Sequence, residues 1–197
     1  MDSKSALLII DVQNDFCPGG ALAVKDGDGV VEILNRYIDL FRKKGLLILA
    51  SRDWHPAESR HFKQFGGAWP IHCVQNTEGA QFHPKLDLPE NTRVISSGLK
   101  IDEDGYSAFD GVDEESISLA EVLKKLSIQE LYIGGIATDY CVKETVLDGL
   151  KLGFKVNLLS DAVRGVNLKP GDSQRALDEM RSKGAKIITF QDLRNEK

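Results

Sequence analysis

Apolar runs and amphipathic periods alternate along the chain. Residues 6–10, 46–50, 93–96, 131–134, 155–159 and 186–189 read as strands. Several are unbroken stretches of Leu, Ile and Val, which suits parallel strands buried on both faces. Between them lie helical stripes. Val30, Leu34, Tyr37 and Phe41 recur at three- and four-residue steps, with Val31 and Ile38 beside them. Leu119, Val122, Leu123 and Leu126 form a second stripe, Val142, Thr145, Val146 and Leu150 a third, and Ala176, Leu177 and Met180 a fourth. Lys44-Gly45, Leu152-Gly153 and Lys183-Gly184 each stand directly before a strand, and glycine tolerates the left-handed conformation that closes a helix. The repeated helix–glycine–strand unit predicts right-handed crossovers. The expected fold is α/β: a single Rossmann-like domain over 1–197, with a mostly parallel six-stranded sheet and helices on both faces.

The rhythm breaks over residues 52–92, which show no convincing period and far exceed the usual connection of about 4–6 residues. Trp54, Phe62, Phe65, Trp69 and Phe82 argue against disorder there, so a functional loop is expected. A second irregular stretch, 99–115, is acidic and reads as a solvated, flexible face; Tyr106 stands where a calcium loop needs a ligand.

Composition narrows the class. Lys plus Arg total 25 against 30 Asp plus Glu, a net charge of -5, which argues against a nucleic-acid partner. No apolar run approaches the ~18 residues of a membrane span, and the first residues lack the features of a signal peptide. The sparse, odd set of cysteines, Cys17, Cys73 and Cys141, suits a reducing compartment, so a cytoplasmic location is expected. Gly27-Asp28-Gly29 does not extend to a dinucleotide fingerprint, since Glu32 occupies the third glycine position.

The candidate chemistry follows strand ends. All four histidines, His55, His61, His72 and His83, fall in the 52–92 loop, and Asp53 precedes the first by two residues. Asp53 and His55 would point to one side of an extended chain, with His61 and His72 closing from the returning loop. Imidazoles plus a carboxylate suit zinc, manganese or iron. His83 fits this set least. Cys141 stands after a strand and at the start of a helix, where backbone N–H groups stabilise a thiolate and hold a developing oxyanion. A cysteine so placed is either a nucleophile or core packing. Asp11 ends the first strand, and C-terminal strand ends converge where ligands bind in an open parallel sheet.

With these residues in hand the chain resembles the isochorismatase-like cysteine hydrolases and, within them, the nicotinamidases. The motifs are Leu8-Ile9-Ile10-Asp11-Val12-Gln13-Asn14-Asp15-Phe16, Asp53-Trp54-His55-Pro56 with His61, Trp69-Pro70-Ile71-His72-Cys73, and Gly134-Gly135-Ile136-Ala137-Thr138-Asp139-Tyr140-Cys141. The resemblance implies Asp11 as general base, Lys100 as the third member of a catalytic triad and Cys141 as nucleophile. It implies a cis peptide between Ile136 and Ala137, and an oxyanion hole from the N–H groups of Ala137 and Cys141. Asp53, His55, His61 and His72 would bind one divalent metal ion, zinc before manganese or iron, and the ion would hold a pyridine nitrogen. Phe16, Trp69 and Tyr106 would line a pocket for a flat ring. The implied activity is amidohydrolysis of nicotinamide, and of pyrazinamide, to the acid and ammonia through a thioester, as in NAD salvage. The expected partner is this small-molecule substrate, with no nucleic acid and no membrane; a homo-oligomer stays open. Two other readings stand beside it: a metal-independent amidohydrolase of the same superfamily acting on N-carbamoyl or ureido amides, and a non-enzymatic metal-binding or redox-sensing domain.

Overall fold

The computed structural model describes residues 1–195. Strands β1 (Ser5–Ile10), β2 (Leu47–Asp53), β3 (Arg93–Ser97), β4 (Glu130–Ile136), β5 (Lys155–Arg164) and β6 (Lys186–Ile188) form one six-stranded sheet in the order β3-β2-β1-β4-β5-β6. Every pairing is parallel. The helices are α1 (Gly29–Lys43), α2 (Leu119–Lys125), α3 (Cys141–Lys151), α4 (Asp172–Ser182) and α5 (Phe190–Asn195).

Alternation along β1 shows how the layers are divided. Leu7 and Ile9 pack with Val30, Leu34, Tyr37, Ile38 and Phe41 of α1, and with Leu193 of α5, on one face. Ala6, Leu8 and Ile10 pack on the other with α2 through Leu119, Val122 and Leu123, α3 through Val142 and Val146, and α4 through Ala176 and Met180. All of these β1 residues are fully buried, which is why the strand reads as a continuous apolar run. Helix α2 starts on a capping box, in which the Ser118 hydroxyl accepts the Glu121 N–H and Glu121 reaches back to the Ser118 N–H.

The strand order reverses at β1. The chain goes from β1 through α1 to β2 on one side, and β4 enters on the other side of β1. Such a switch point leaves a crevice beyond the strand C-termini. Asp11 leaves β1 there, and residues 137–141 leave β4 there. Where β4 pairs with β5 the register shifts between Ile133 and Gly135, and β5 runs on to Arg164, further than its apolar run foretells.

The 52–92 loop is ordered against this edge by specific contacts. The Gln13 side chain, fully buried, accepts the Asp53 N–H (2.9 Å) and donates to Asp53 O (2.8 Å) and Ala80 O (2.9 Å). Asp15 accepts the Cys73 N–H at 2.7 Å. Short bridges pair His55 with Val74 and Phe62 with Trp69. The polar residues after β1 therefore pin the loop that carries the histidines. No helix among the described residues is long and apolar enough to cross a membrane.

Candidate active site

Asp11, the first residue past β1, has φ 48° and is 2% exposed. That left-handed backbone turns its carboxylate into the crevice, where the Ser51 hydroxyl of β2 donates to it at 2.6 Å. Cys141, the first residue of α3, is buried beside Asp11. Asp11, Asp53 and Cys141 bring their reactive atoms within 4.8 Å of one another. The Ile136–Ala137 peptide between β4 and α3 is cis.

The second cluster shares Asp53. Ring nitrogens of His55, His61 and His72, all buried, lie within 4.8 Å of one another. Asp53 Oδ2 is 3.7 Å from Nε2 of both His55 and His72. Burial acts to raise the Asp53 pKa, yet the neighbouring His55 and His72 imidazoles outweigh it and hold the carboxyl below the ordinary range. Asp53 Oδ1 and both ring nitrogens of His55 are buried without a hydrogen-bond partner. Unpaired buried polar atoms cost about 1–3 kcal/mol each, so a site that keeps several close together fits a ligand that satisfies them all. Imidazoles with one carboxylate are a donor set for a divalent transition metal. His72 holds its other nitrogen, Nδ1, 2.8 Å from Pro70 O, and His61 holds Nδ1 2.8 Å from Asp104. His83 stays apart and accepts the Lys85 N–H.

Between the clusters opens a small pocket. Cys141, Ala137, Asp53, His61 and His72 form its reactive sides, and Phe16, Trp69 and Tyr106 its aromatic walls. Trp69 Nε1–H donates to the Tyr106 hydroxyl at 2.7 Å, which fixes the two rings relative to each other. Leu22, Tyr140 and Val166 complete the lining. Sequence reasoning missed these three. Tyr140, whose ring meets Trp69 edge-on at 4.9 Å, had a signal: it adjoins Cys141 at the helix start.

Lys100 does not reach this site. β3 ends at Ser97, and Gly98, with φ +67°, turns the chain so that the lysine lies on the surface. Its side chain is 81% exposed and its Nζ pairs with Glu103 at 2.5 Å. The residue aligned with Asp53 on β3 is the buried Ser97. The glycine at 98 is itself required, because a Cβ there would meet the His55 ring. Accordingly Lys100→Ala should leave kcat/KM within about twofold of the unaltered protein, as expected of an exposed ion pair; steady-state kinetics checks this.

Without the lysine, the strongest influences on the reacting pair are not cationic. Burial pushes Asp11 well above the usual carboxylate range and the Asp53 charge adds to it, while the Ser51 and Cys141 hydrogen bonds act downward. Burial likewise raises the Cys141 thiol, followed by the charges of Asp11 and Asp53. Burial and the two carboxylates thus act against the thiolate that a helix start favours. The arrangement suits a neutral thiol that gives up its proton to Asp11 as it attacks.

A doubly wound sheet with a buried Cys–Asp pair at its switch point, beside an aromatic pocket and a His/Asp cluster, is the framework of a cysteine hydrolase with a metal centre. The chain belongs to the isochorismatase domain family, which matches residues 5–192. It is 46% identical to the nicotinamidase of Escherichia coli, over 95% of each chain. The crystal structure of Pyrococcus horikoshii pyrazinamidase in complex with zinc superposes with a TM-score of 0.88 at 49% identity, covering 95% of this chain and 99% of that one. PnC1 from L. infantum in complex with nicotinate gives a TM-score of 0.86 at 34% identity, covering 96% and 94%.

Proposed function

We propose that this protein hydrolyses nicotinamide to nicotinate and ammonia through a thioester on Cys141, with pyrazinamide as a further substrate and zinc as the resident metal. The observation that carries the reading is the buried Cys141–Asp11 pair, whose reactive atoms lie within 4.8 Å of each other, beside a pocket that Cys141 lines together with aromatic rings and the histidine cluster. The E. coli nicotinamidase and the zinc-bound pyrazinamidase support it.

Asp11 accepts the thiol proton as Cys141 Sγ adds to the carboxamide carbon. The Ala137 and Cys141 N–H groups receive the developing oxyanion. Asp11 then gives its proton to the departing nitrogen; the C–N bond breaks and ammonia leaves a thioester. Water, deprotonated by Asp11, adds to the thioester, the C–S bond breaks, and the thiol regains the proton as the acid is released. Phe16, Trp69 and Tyr106 orient the flat ring and exclude water. Asp53, His55, His61 and His72 would hold the metal, which supplies a Lewis-acidic anchor for a ring nitrogen.

The test is ammonia release from purified protein offered nicotinamide, benzamide and an N-carbamoyl amide. Turnover of nicotinamide with little of benzamide, which lacks the ring nitrogen, is expected, and a chelator should abolish the preference. Release from the carbamoyl amide alone would overturn the reading.

A further inference from the structure

The acidic segment after β3 is tied to the histidine loop. Arg60 N–H donates to Ile101 O at 2.8 Å, and the Arg60 guanidinium pairs with Asp102 at 2.7 Å. One residue on, the nearly buried His61 ring meets Asp104 at 2.8 Å through Nδ1. A segment that reads as solvent-facing therefore places one carboxylate directly behind an imidazole of the cluster.

We infer that Asp104 is a positioning residue for the metal centre, holding His61 in the tautomer and orientation that leave Nε2 to coordinate. With Nδ1–H donated to Asp104, Nε2 is the nitrogen left free on the His61 ring, which is stacked 4.7 Å from His55. His72 is held by the same logic, with Nδ1 on the Pro70 carbonyl and Nε2 facing Asp53. A carboxylate behind a ligating imidazole also makes that imidazole the stronger donor. His61 thus owes its place in the set to a residue outside the 52–92 loop. Asp104 itself is 66% exposed, so its loss removes a surface contact worth about 0–1 kcal/mol of stability and leaves the fold intact.

The inference rests on the metal reading above, and its test separates the two. Zinc affinity is measured by competition with a chromogenic chelator for the unaltered protein, Asp104→Ala, Asp104→Glu and Asp102→Ala, and the visible spectrum of each is recorded with cobalt(II) in place of zinc. Asp104→Ala should bind zinc about 10- to 100-fold more weakly and shift the cobalt bands. Asp104→Glu, which keeps the carboxylate, should recover most of the affinity. Asp102→Ala, which cuts only the Arg60 ion pair, should stay within about twofold. Unchanged affinity and spectrum in Asp104→Ala, or equal weakening in Asp102→Ala, would overturn the role of Asp104. Failure of the unaltered protein to bind zinc at one equivalent would overturn the metal reading, and this inference with it.

Discussion

Cys141→Ala should lower nicotinamide turnover about 10⁴-fold or more, because it removes the atom that forms the covalent bond and leaves only binding and the backbone donors. Loss of the sulfur from this buried position costs about 1 kcal/mol of stability. For a chain of this length that shifts Tm by about 2–4 °C. The variant is therefore expected to be folded, to bind metal and to be inactive. The decisive comparison is kcat against Tm and metal content on one preparation. Loss of all three together would mean that Cys141 packs the core rather than reacts, the bland alternative that the sequence left open.

The second large effect is expected at Asp11. Asp11→Asn keeps the shape and an acceptor for Ser51 but cannot take the thiol proton, so kcat/KM should fall about 10²–10⁴-fold. The pH dependence gives the sharper reading. Burial and the Asp53 charge raise Asp11 above its ordinary value of 3.8. A raised pKa means that the carboxyl becomes protonated at a higher pH than usual. As pH falls, kcat/KM should therefore decline through a midpoint above the ordinary carboxylate range, and that acid limb should vanish in Asp11→Asn. An acid limb that persists unchanged in the variant would assign the proton transfer elsewhere. With Lys100 on the surface, the lysine that the resemblance implies as a third triad member does not stand beside Asp11, and in the proposed reaction Asp11 serves as both acid and base.

What was legible in the sequence follows from burial. A parallel sheet covered on both faces needs apolar residues at consecutive positions, so all six strands announced themselves. The departures lie where that rule lapses. β5 continues past Leu159 through Ser160 and Asp161, polar residues whose needs are met at long range: Ser160 donates to Ile188 O, and Asp161 accepts from Tyr37. Helix α5 is too short for an apolar stripe, although Thr189 and Asp192, hydrogen-bonded at 2.7–2.8 Å, are the side chains of an N-terminal cap that could have been read.

The site was legible in the same uneven way. Asp11 and Asp53 directly follow or close strands, and Cys141 opens the helix that follows β4, so topology carries all three to one edge. His55, His61 and His72 share a loop that Gln13 and Asp15 fold back onto that edge. Lys100 lies three residues beyond its strand, where a left-handed glycine decides the direction of the chain, and motif proximity gave the wrong place. Asp104 left no local trace, because its partner is brought to it by the docking of one irregular loop on another.

In the proposed reaction Cys141 carries the acyl group. Protein mixed with nicotinamide, quenched in acid within the first turnovers, digested and read by mass spectrometry should yield a nicotinoyl thioester on the peptide that contains Cys141, absent from Cys141→Ala. Ammonia release with no adduct on that peptide, or an adduct on Cys17 or Cys73 instead, would contradict the account.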